Sequence, residues 1–381
     1  MENSGVQRRV KKGVPGPRIH VLVVDDSAVV RQTMTFVLGR EKDLRVTTAA
    51  DPIIAMEKMR RDRPQVVILD LEMPRMDGLT FLKNVMKTDP LPIVVCSGVA
   101  ERGSARALEA IEEGAVDVLS KPRIGVREFI EEQAVLFADA VRSAASARMR
   151  PRAGAGLRAS RIDPLPVPPR LSARPATRVD PVIAIGVSIG GPAALASIVP
   201  ALPSDLPGIV AVQHMPEAFT GALAARLDRM GVIRVKQAQS GDPVIRGQML
   251  LAPGDRHLRI RRSGPGFVVD LDAGPLISRH RPSVDALFHS AAAEAGPHAL
   301  GVILTGMGTD GAAGLLEMKR QGAMTIAQDE ATSVVYGMPG EAVALGAVDE
   351  IVPLDLVPSA MVSRVEMLIL RQEQAALASV L

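Results

Sequence analysis

Residues 182–192 place a serine, Ser188, between glycines directly after a run of branched apolar residues. A serine at a sharp turn from a strand into a helix can act as a nucleophile, because the turn exposes its hydroxyl and directs backbone amides towards an oxyanion. The same turn can instead bind a phosphate, although a G-x-G-x-x-G fingerprint has glycine where Ser188 stands. The motif alone leaves both interpretations open.

A serine nucleophile needs a base and an orienting acid. Of the six histidines, His214 is the best candidate for the base because it follows the next predicted strand, 209–213; the alternative is a buried, hydrogen-bonded histidine. His257 falls in a predicted hairpin and is a weaker candidate. Three more histidines lie near or on a predicted helix with no strand end behind them: His280, His289 and His298.

The candidate acid is Asp310, in a glycine-rich loop between the predicted strand 300–304 and the next helix. An aspartate there can also be only a helix cap. Because ligands collect at the carboxyl ends of parallel strands, we expect Ser188, His214 and Asp310 to converge at one sheet edge. Their order along the chain differs from the Ser–Asp–His order of α/β-hydrolases, which predicts another scaffold.

Polar residues also mark the strand ends of the first half: Asp25 and Asp26, Asp70, Ser97, and Lys121. Three carboxylates cannot crowd together in ionised form without a cation, and oxygen ligands without His or Cys nearby favour Mg²⁺. A metal, a lysine and an exposed aspartate predict phosphoryl transfer to that aspartate. Helix capping explains any one aspartate, but not the serine and lysine.

Strand-like and helix-like segments alternate in both halves, which predicts an α/β fold. The first half is predicted as a five-stranded parallel, flavodoxin-like domain, with strands near 19–25, 44–50, 66–70, 92–97 and 116–119 and a last helix at 127–140. The second half is predicted as a doubly wound α/β domain with an antiparallel β-hairpin insertion at 241–276 and a final helix near 354–371.

The basic charge is concentrated in two segments. Residues 1–18 carry a net charge of +4 and residues 142–180 carry +7, whereas the whole chain carries +3. We therefore predict a disordered basic segment at 1–18 and a flexible Arg/Pro-rich linker at 141–180. The folded parts are acidic and aromatic residues make up 2% of the chain, so nucleic-acid binding is not expected. A contact of the linker with an anionic surface stays open.

The single cysteine, Cys96, excludes an internal disulfide framework and is typical of the reducing cytoplasm. No apolar run approaches the roughly 18 residues of a membrane span, and the N-terminus has no apolar signal-peptide core. We expect a cytoplasmic protein.

Residues 19–140 resemble the receiver domain of response regulators through VLVVDDSAVVRQ, VVILDLEMPRMDGLTFL, VVCS and LSKP. The resemblance implies that Asp70 is the phospho-acceptor. It further implies that Mg²⁺ is held by Asp25, Asp26, Asp70 and the Glu72 carbonyl. The phosphoryl group would be bound by Ser97 and Lys121. Val118 stands where many receivers have an aromatic switch residue.

The second half resembles the CheB family of protein-glutamate methylesterases through AIGVSIGGP, QHMP, LAPGDRHL, RHRPSVDALFHSAA and ILTGMGTDGAAGL. The resemblance implies Ser188 as nucleophile, His214 as base and Asp310 as acid, with backbone amides of Ile189 and Met307 at the oxyanion. Ile189 replaces a threonine that is common in the family. The role of residues 281–285 is not implied.

The family implies a phosphorylation-activated serine hydrolase that demethylates glutamyl methyl esters on chemoreceptors and deamidates glutamines there. Its receiver is phosphorylated by the chemotaxis histidine kinase and covers the active-site edge until then. We expect a catalytic domain at 181–372 without a cofactor, a tail at 373–381, a monomer, and membrane contact only through receptors. A phosphorylation-controlled binding module with a vestigial hydrolase site is the alternative.

Overall fold

The computed structural model describes residues 18–98, 101–121, 127–149 and 180–378. The predicted basic segment 1–18, apart from Arg18, therefore lies outside the described residues. The same holds for most of the predicted linker 141–180 and for the end of the predicted tail 373–381.

The first half folds around a five-stranded parallel sheet. Its strands are β1 (Ile19–Val24), β2 (Leu44–Ala49), β3 (Val66–Leu69), β4 (Ile93–Ser97) and β5 (Asp117–Ser120). Every residue of β3 and β4 is buried, because helices cover both faces of a parallel sheet. The strand order β2-β1-β3-β4-β5 is that of flavodoxin-like folds and confirms the predicted class.

Five helices flank this sheet: α1 (Ala28–Gly39), α2 (Pro52–Arg61), α3 (Gly78–Thr88), α4 (Glu101–Glu112) and α5 (Arg127–Ser146). The side chains of Ser27, Asp51 and Asp77 cap the first three, accepting hydrogen bonds from amides that have no partner within the helix. The caps fix where each chain segment leaves its strand end.

The last helix of the first half is longer than predicted. Residues 141–146, predicted as the start of a flexible linker, are the end of α5. Arg142 holds this end in place through ion pairs of 2.6 Å to Glu41 and 2.8 Å to Asp43, and Val141 and Ala144 are fully buried. The prediction of flexibility is wrong there because an arginine-rich composition does not distinguish solvated from paired arginines.

The second half contains a seven-stranded parallel sheet in the order β15-β14-β13-β6-β7-β10-β8 and an antiparallel sheet in the order β11-β12-β9. The strands are β6 (Val182–Val187), β7 (Ile209–Gln213), β8 (Arg234–Gln237), β9 (Pro243–Val244), β10 (Gln248–Leu251), β11 (His257–Ser263), β12 (Gly266–Asp272), β13 (Ala299–Ile303), β14 (Met324–Gln328) and β15 (Glu350–Val352). The doubly wound fold with an antiparallel insertion is confirmed.

One strand of the predicted hairpin stretch 241–276 differs from the prediction. Strand β10 joins the main sheet, parallel to both β7 and β8. Met249, Leu250 and Leu251 are all buried, as an inner strand of a parallel sheet requires.

The helices of the second half are α6 (Gly191–Ile198), α7 (Glu217–Asp228), α8 (Val284–Ala295), α9 (Ala312–Arg320), α10 (Met338–Ala344) and α11 (Val357–Ala378). The last helix extends beyond the predicted end at 371. Helix α10 and strand β15 were not predicted, because both are short and α10 contains Pro339 and Gly340 in its first turn.

The order of the main sheet identifies where a ligand would bind. Strand β6 lies between β7 and β13, and the chain continues from β6 towards one side of the sheet and returns to the other. Such a switch point leaves a crevice at the carboxyl ends of the strands. Ser188, His214 and Asp310 follow β6, β7 and β13, so all three lie at this crevice.

The first half packs against the same edge. The backbone amide of Gly190 lies 3.3 Å from the carbonyl oxygen of Val116, and the amide of Arg148 donates to the Val334 carbonyl at 3.1 Å. Helix α4 lies along α7, where the Arg226 guanidinium donates to the Leu108 carbonyl at 3.2 Å. The two halves therefore meet beside the serine.

Candidate active site

The turn that carries Ser188 is a strand–turn–helix elbow. Strand β6 is buried throughout, and α6 starts at Gly191 with Pro192 in its first turn, where a missing N–H costs nothing. Gly190 has φ +74°, a conformation that favours glycine. The Ser188 amide donates to the Thr305 carbonyl at 3.0 Å, which fixes the serine against the loop that follows β13.

Ser188, His214 and Asp310 form a hydrogen-bonded chain. The Oγ of Ser188 lies 3.1 Å from Nδ1 of His214, and Nε2 of His214 lies 2.8 Å from Oδ2 of Asp310. An ionised carboxylate only accepts, so Nε2 carries the proton and Nδ1 is free to accept the serine proton. The structure thus brings together the three strand-end residues that the sequence singled out.

The competing candidates do not reach the serine. The ring of His257 bonds the Pro275 carbonyl at 2.9 Å and accepts from the Ser283 amide at 3.3 Å, so both of its nitrogens are engaged elsewhere. Asp310 is not a cap of α9, because the N-cap residue of α9 is Gly311 and has no side-chain cap.

Asp310 instead lies at the N-terminus of α8. Its carboxylate accepts from the Ser283 hydroxyl at 2.7 Å and from the amides of Val284 at 2.7 Å and Asp285 at 3.0 Å. Burial alone would raise the pKa of Asp310, but hydrogen bonds from His214, Ser283 and the Asp285 amide outweigh burial and lower it well below its usual range. Three of the residues 281–285, whose role the sequence did not explain, therefore hold the Asp310 carboxylate: Ser283, Val284 and Asp285.

The predicted oxyanion residues, Ile189 and Met307, lie beside the serine. A Cβ on Gly306, next to Met307, would come within 2.7 Å of the Ser188 Cβ, so only glycine allows the loop to approach the elbow. The side chain of Ile189 is buried, and its carbonyl accepts from the Thr305 hydroxyl at 2.9 Å. Their amides as oxyanion donors stay a prediction.

The sequence indicated no role for His280, yet its ring lies on the ring of His214. The centroids of the His214 and His280 rings are 3.9 Å apart and their planes differ by 9°. His280 follows no strand end and reaches the crevice through the loop between β12 and α8. The basic stretch RHRPS at 279–283 was the sign of it in the sequence.

The acidic residues of the first half also come together. Oxygens of Asp25, Asp26 and Asp70 all lie within 4.8 Å of one another. Nζ of Lys121 lies 2.7 Å from Asp70 and 3.3 Å from Asp25. Burial raises the pKa of Asp70 and of Asp25. Burial would lower the pKa of Lys121, but its pairing with Asp70 and Asp25 raises it.

The donor set fits a divalent cation. Oδ2 of Asp25 is buried, and its ion pair with Lys121 at 3.3 Å does not have hydrogen-bond geometry. The buried hydroxyl of Ser97 has no hydrogen-bond partner among the described residues. Hard oxygen ligands of this kind suit Mg²⁺. Asp70 was expected to be exposed, but it is 1% exposed, because the Lys121 ammonium group and the backbone around it cover its carboxylate.

A close backbone approach supports this pocket. A Cβ on Gly78 would lie 2.0 Å from the carbonyl oxygen of Asp70, so glycine is required after the α3 cap, Asp77. Glu72 follows β3, and its amide donates to Asp70 at 3.2 Å. Val118, at the position of the aromatic switch, is buried.

None of the helices in the described ranges is both long and apolar enough to cross a membrane.

Two family models match the two halves. The response regulator receiver domain matches residues 21–131, and the CheB methylesterase matches residues 183–361. The crystal structure of the Thermotoga maritima CheB methylesterase catalytic domain is 39% identical, with a TM-score of 0.47, and covers 48% of this chain and 98% of its own.

Relatives of known name match nearly the whole chain. The protein-glutamate methylesterase/protein-glutamine glutaminase 1 of Anaeromyxobacter dehalogenans is 54% identical over 354 residues, covering 91% of this chain and 99% of the relative. The corresponding protein 3 of Geobacter metallireducens is 49% identical, covering 89% of this chain and 97% of the relative. Since these matches span both sheets, the chain belongs to the CheB family of response regulators, with a receiver domain followed by a methylesterase domain.

Proposed function

We propose that this chain hydrolyses glutamyl methyl esters on chemoreceptors, with Ser188 as nucleophile, His214 as base and Asp310 as orienting acid. The observation that carries the assignment is the continuous hydrogen-bonded chain of 3.1 and 2.8 Å through the two nitrogens of His214. The names of the relatives, protein-glutamate methylesterase/protein-glutamine glutaminase, supply the reaction, and membership of the CheB family supplies chemoreceptors as the substrate.

In the acylation step, Oγ of Ser188 attacks the ester carbonyl carbon while Nδ1 of His214 takes the hydroxyl proton. The backbone amides of Ile189 and Met307 donate hydrogen bonds to the negative charge that develops on the carbonyl oxygen. The bond to the methoxy group then breaks, and the proton on Nδ1 passes to the departing oxygen as methanol forms. Asp310 holds Nε2–H throughout and stabilises the imidazolium.

In the second step a water molecule attacks the acyl-enzyme. Nδ1 of His214 takes its proton, the Ser188 ester bond breaks, and the proton returns to the serine oxygen. The products are a receptor glutamate and methanol. A glutamine side chain follows the same path with ammonia as the leaving group, which is the proposed deamidase activity. No step requires a cofactor in this domain.

The receiver places the enzyme under phosphorylation control, with a phosphodonor kinase and receptor substrates as its class of partners. We propose Asp70 as the phospho-acceptor, with Ser97 and Lys121 contacting the phosphoryl group and the chemotaxis histidine kinase as donor. Asp25, Asp26, Asp70 and the Glu72 carbonyl would hold Mg²⁺, which when bound neutralises charge on the phosphoryl oxygens. The buried Oδ2 of Asp25, which forms an ion pair with Lys121, and the Ser97 hydroxyl, which has no hydrogen-bond partner within the described residues, support this assignment. We propose a monomer.

The test is methanol release from methylated chemoreceptor membranes by the full-length protein with acetyl phosphate and Mg²⁺. Ser188→Ala is expected to lose more than about 10³-fold in rate, because a triad acts as a unit, while its thermal unfolding midpoint stays unchanged. Ser359→Ala, an exposed serine of α11, is the matched control and keeps full activity.

Retained hydrolysis in the Ser188→Ala variant would mean that another residue is the nucleophile. A wild-type protein that binds receptors without releasing methanol would instead be a phosphorylation-controlled binding module.

A further inference from the structure

The turn that carries His280 is held in a costly conformation. Ile277 and His280 exchange backbone hydrogen bonds of 3.1 and 2.8 Å, and the two residues between them, Ser278 and Arg279, have φ values of +50° and +66°. Residues other than glycine are unfavourable at positive φ and persist there when the surroundings impose it. Such strain is concentrated at functional sites.

Neighbouring residues hold the turn in this conformation. Arg281, directly after His280, bonds Asp255 at 2.6 Å and the Gly274 carbonyl at 2.8 Å. On the other side, the Ser278 hydroxyl lies 3.3 Å from Asp285, at the start of α8. The turn is therefore anchored at both ends, and the ring of His280 is presented in one place.

Within the part of the chain that the structure describes, the ring of His280 has a face contact and no hydrogen bond. It lies parallel to the ring of His214 at a centroid distance of 3.9 Å, and among the described residues no hydrogen-bond partner approaches its nitrogens. The pKa of His280 is lowered to about 3. Burial is the largest cause, and the charge of His214 is the next. The charged or titratable groups that face it are His214, Asp310 and Arg279.

We propose that His280 is a positioning residue of the esterase: its neutral ring fixes the plane of the His214 ring and stabilises the imidazolium that forms when Ser188 loses its proton. Rotation of His214 about its ring bond would break both hydrogen bonds of the chain, and a parallel ring at van der Waals distance opposes that rotation. An aromatic face also attracts the cation formed in the transition state.

His280 does not exchange protons in this scheme. Because the ring stays neutral at the pH of the reaction, it does not compete with His214 for the serine proton. A phenylalanine at position 280 should therefore retain the positioning role, whereas a leucine of similar volume should lose it. This inference rests on the proposed triad, so the Ser188→Ala variant is measured alongside it.

The experiment compares His280→Phe and His280→Leu in the full-length protein with acetyl phosphate and Mg²⁺, using methanol release from methylated receptors. His280→Leu is expected to lower kcat about tenfold with little change in KM, and to move the acid limb of the pH profile of kcat/KM to lower pH. His280→Phe is expected to stay within about threefold of wild type, with an unshifted profile.

If both variants are equally slow, an imidazole nitrogen is needed and the stacking role is wrong. If both match wild type, or if only His280→Phe is slow, the ring has no positioning role. Thermal unfolding and the circular dichroism spectrum separate these outcomes from misfolding. An active Ser188→Ala variant would overturn the triad itself, which is a different failure.

Discussion

At the scale of single residues, the distinctive feature is the environment of Asp310. A carboxylate that is 1% exposed would normally be costly to ionise. Here both of its oxygens accept hydrogen bonds at the N-terminus of α8, where the helix dipole also favours an anion. The acid is thereby kept ionised and its orientation is fixed, which in turn fixes the tautomer of His214.

The lowered pKa of Asp310 predicts how stability depends on pH. A carboxylate whose pKa is lower in the folded than in the unfolded protein stabilises the fold fully above the unfolded value, 3.8, and loses that contribution as pH falls through the folded value. The free energy of unfolding of wild type should therefore exceed that of Asp310→Asn most at neutral pH, and the difference should shrink below 3.8.

Urea unfolding over a pH series measures this difference. Asp355→Asn, at an exposed position before α11, serves as the control, and its difference from wild type should be small throughout. A difference for Asp310→Asn that is the same at every pH would contradict the ionised, strongly bonded carboxylate.

At the scale of elements, the elbow between β6 and α6 serves two purposes. Ile189 is 6% exposed and belongs to a buried apolar cluster with receiver residues, among them Val116, Phe137 and Val141. The residue next to Ser188 is thus also part of the contact with the receiver. This explains how an isoleucine is accommodated where threonine is common in the family.

Ile189→Thr is expected to weaken that contact, because it removes apolar area and buries a hydroxyl. A loss of about 1.4 kcal/mol shifts the ratio of covered to open molecules tenfold. We expect methanol release without phosphodonor to rise by roughly three- to tenfold.

The control is the same substitution in a fragment without the receiver, where activity should not rise. If Ile189→Thr leaves the basal rate of the full chain unchanged, Ile189 does not contribute to covering the site.

The elements also explain what the sequence could and could not predict. Ser188, His214 and Asp310 were predictable because each follows a strand, and strand ends of a parallel sheet share an edge. His280 and Ser283 were not, because a loop and a helix from elsewhere in the chain bring them to that edge. Strand β10 was read as part of a hairpin because four residues carry no sign of which sheet they join.

At the scale of the whole molecule, receiver residues pack beside the serine. Ser188 is 6% exposed and the His214 side chain 8%, so both side chains are largely covered. Besides the backbone contacts at Gly190 and Arg148, the hydroxyl of Ser143 in α5 contacts the sulfur of Met307, and Arg279 pairs with Asp139 at 3.2 Å. Receiver and catalytic residues are interleaved around the site.

A fragment that begins at residue 150 should therefore be faster than the full-length protein without phosphodonor. The cut belongs there because α5 continues to Ser146 and Arg148 still bonds the loop near Val334. Acetyl phosphate with Mg²⁺ should raise the rate of the full chain towards that of the fragment, and Asp70→Asn should block the rise.

Methanol release under initial-rate conditions measures all four samples. A folded fragment that is no faster than the unstimulated full chain would mean that the receiver activates the enzyme directly rather than covering it. A response of Asp70→Asn to acetyl phosphate would place the acceptor elsewhere.

The placement of the receiver across the serine edge has a consequence in the opposite direction. Linkage between two binding events is reciprocal, so whatever phosphorylation of Asp70 does to the opening of the serine edge, occupation of that edge does to Asp70. If a receptor helix displaces the receiver from Ser188, it shifts the equilibrium of the receiver towards its phosphorylated form by the same factor. In that arrangement the substrate is an effector of its own demethylation.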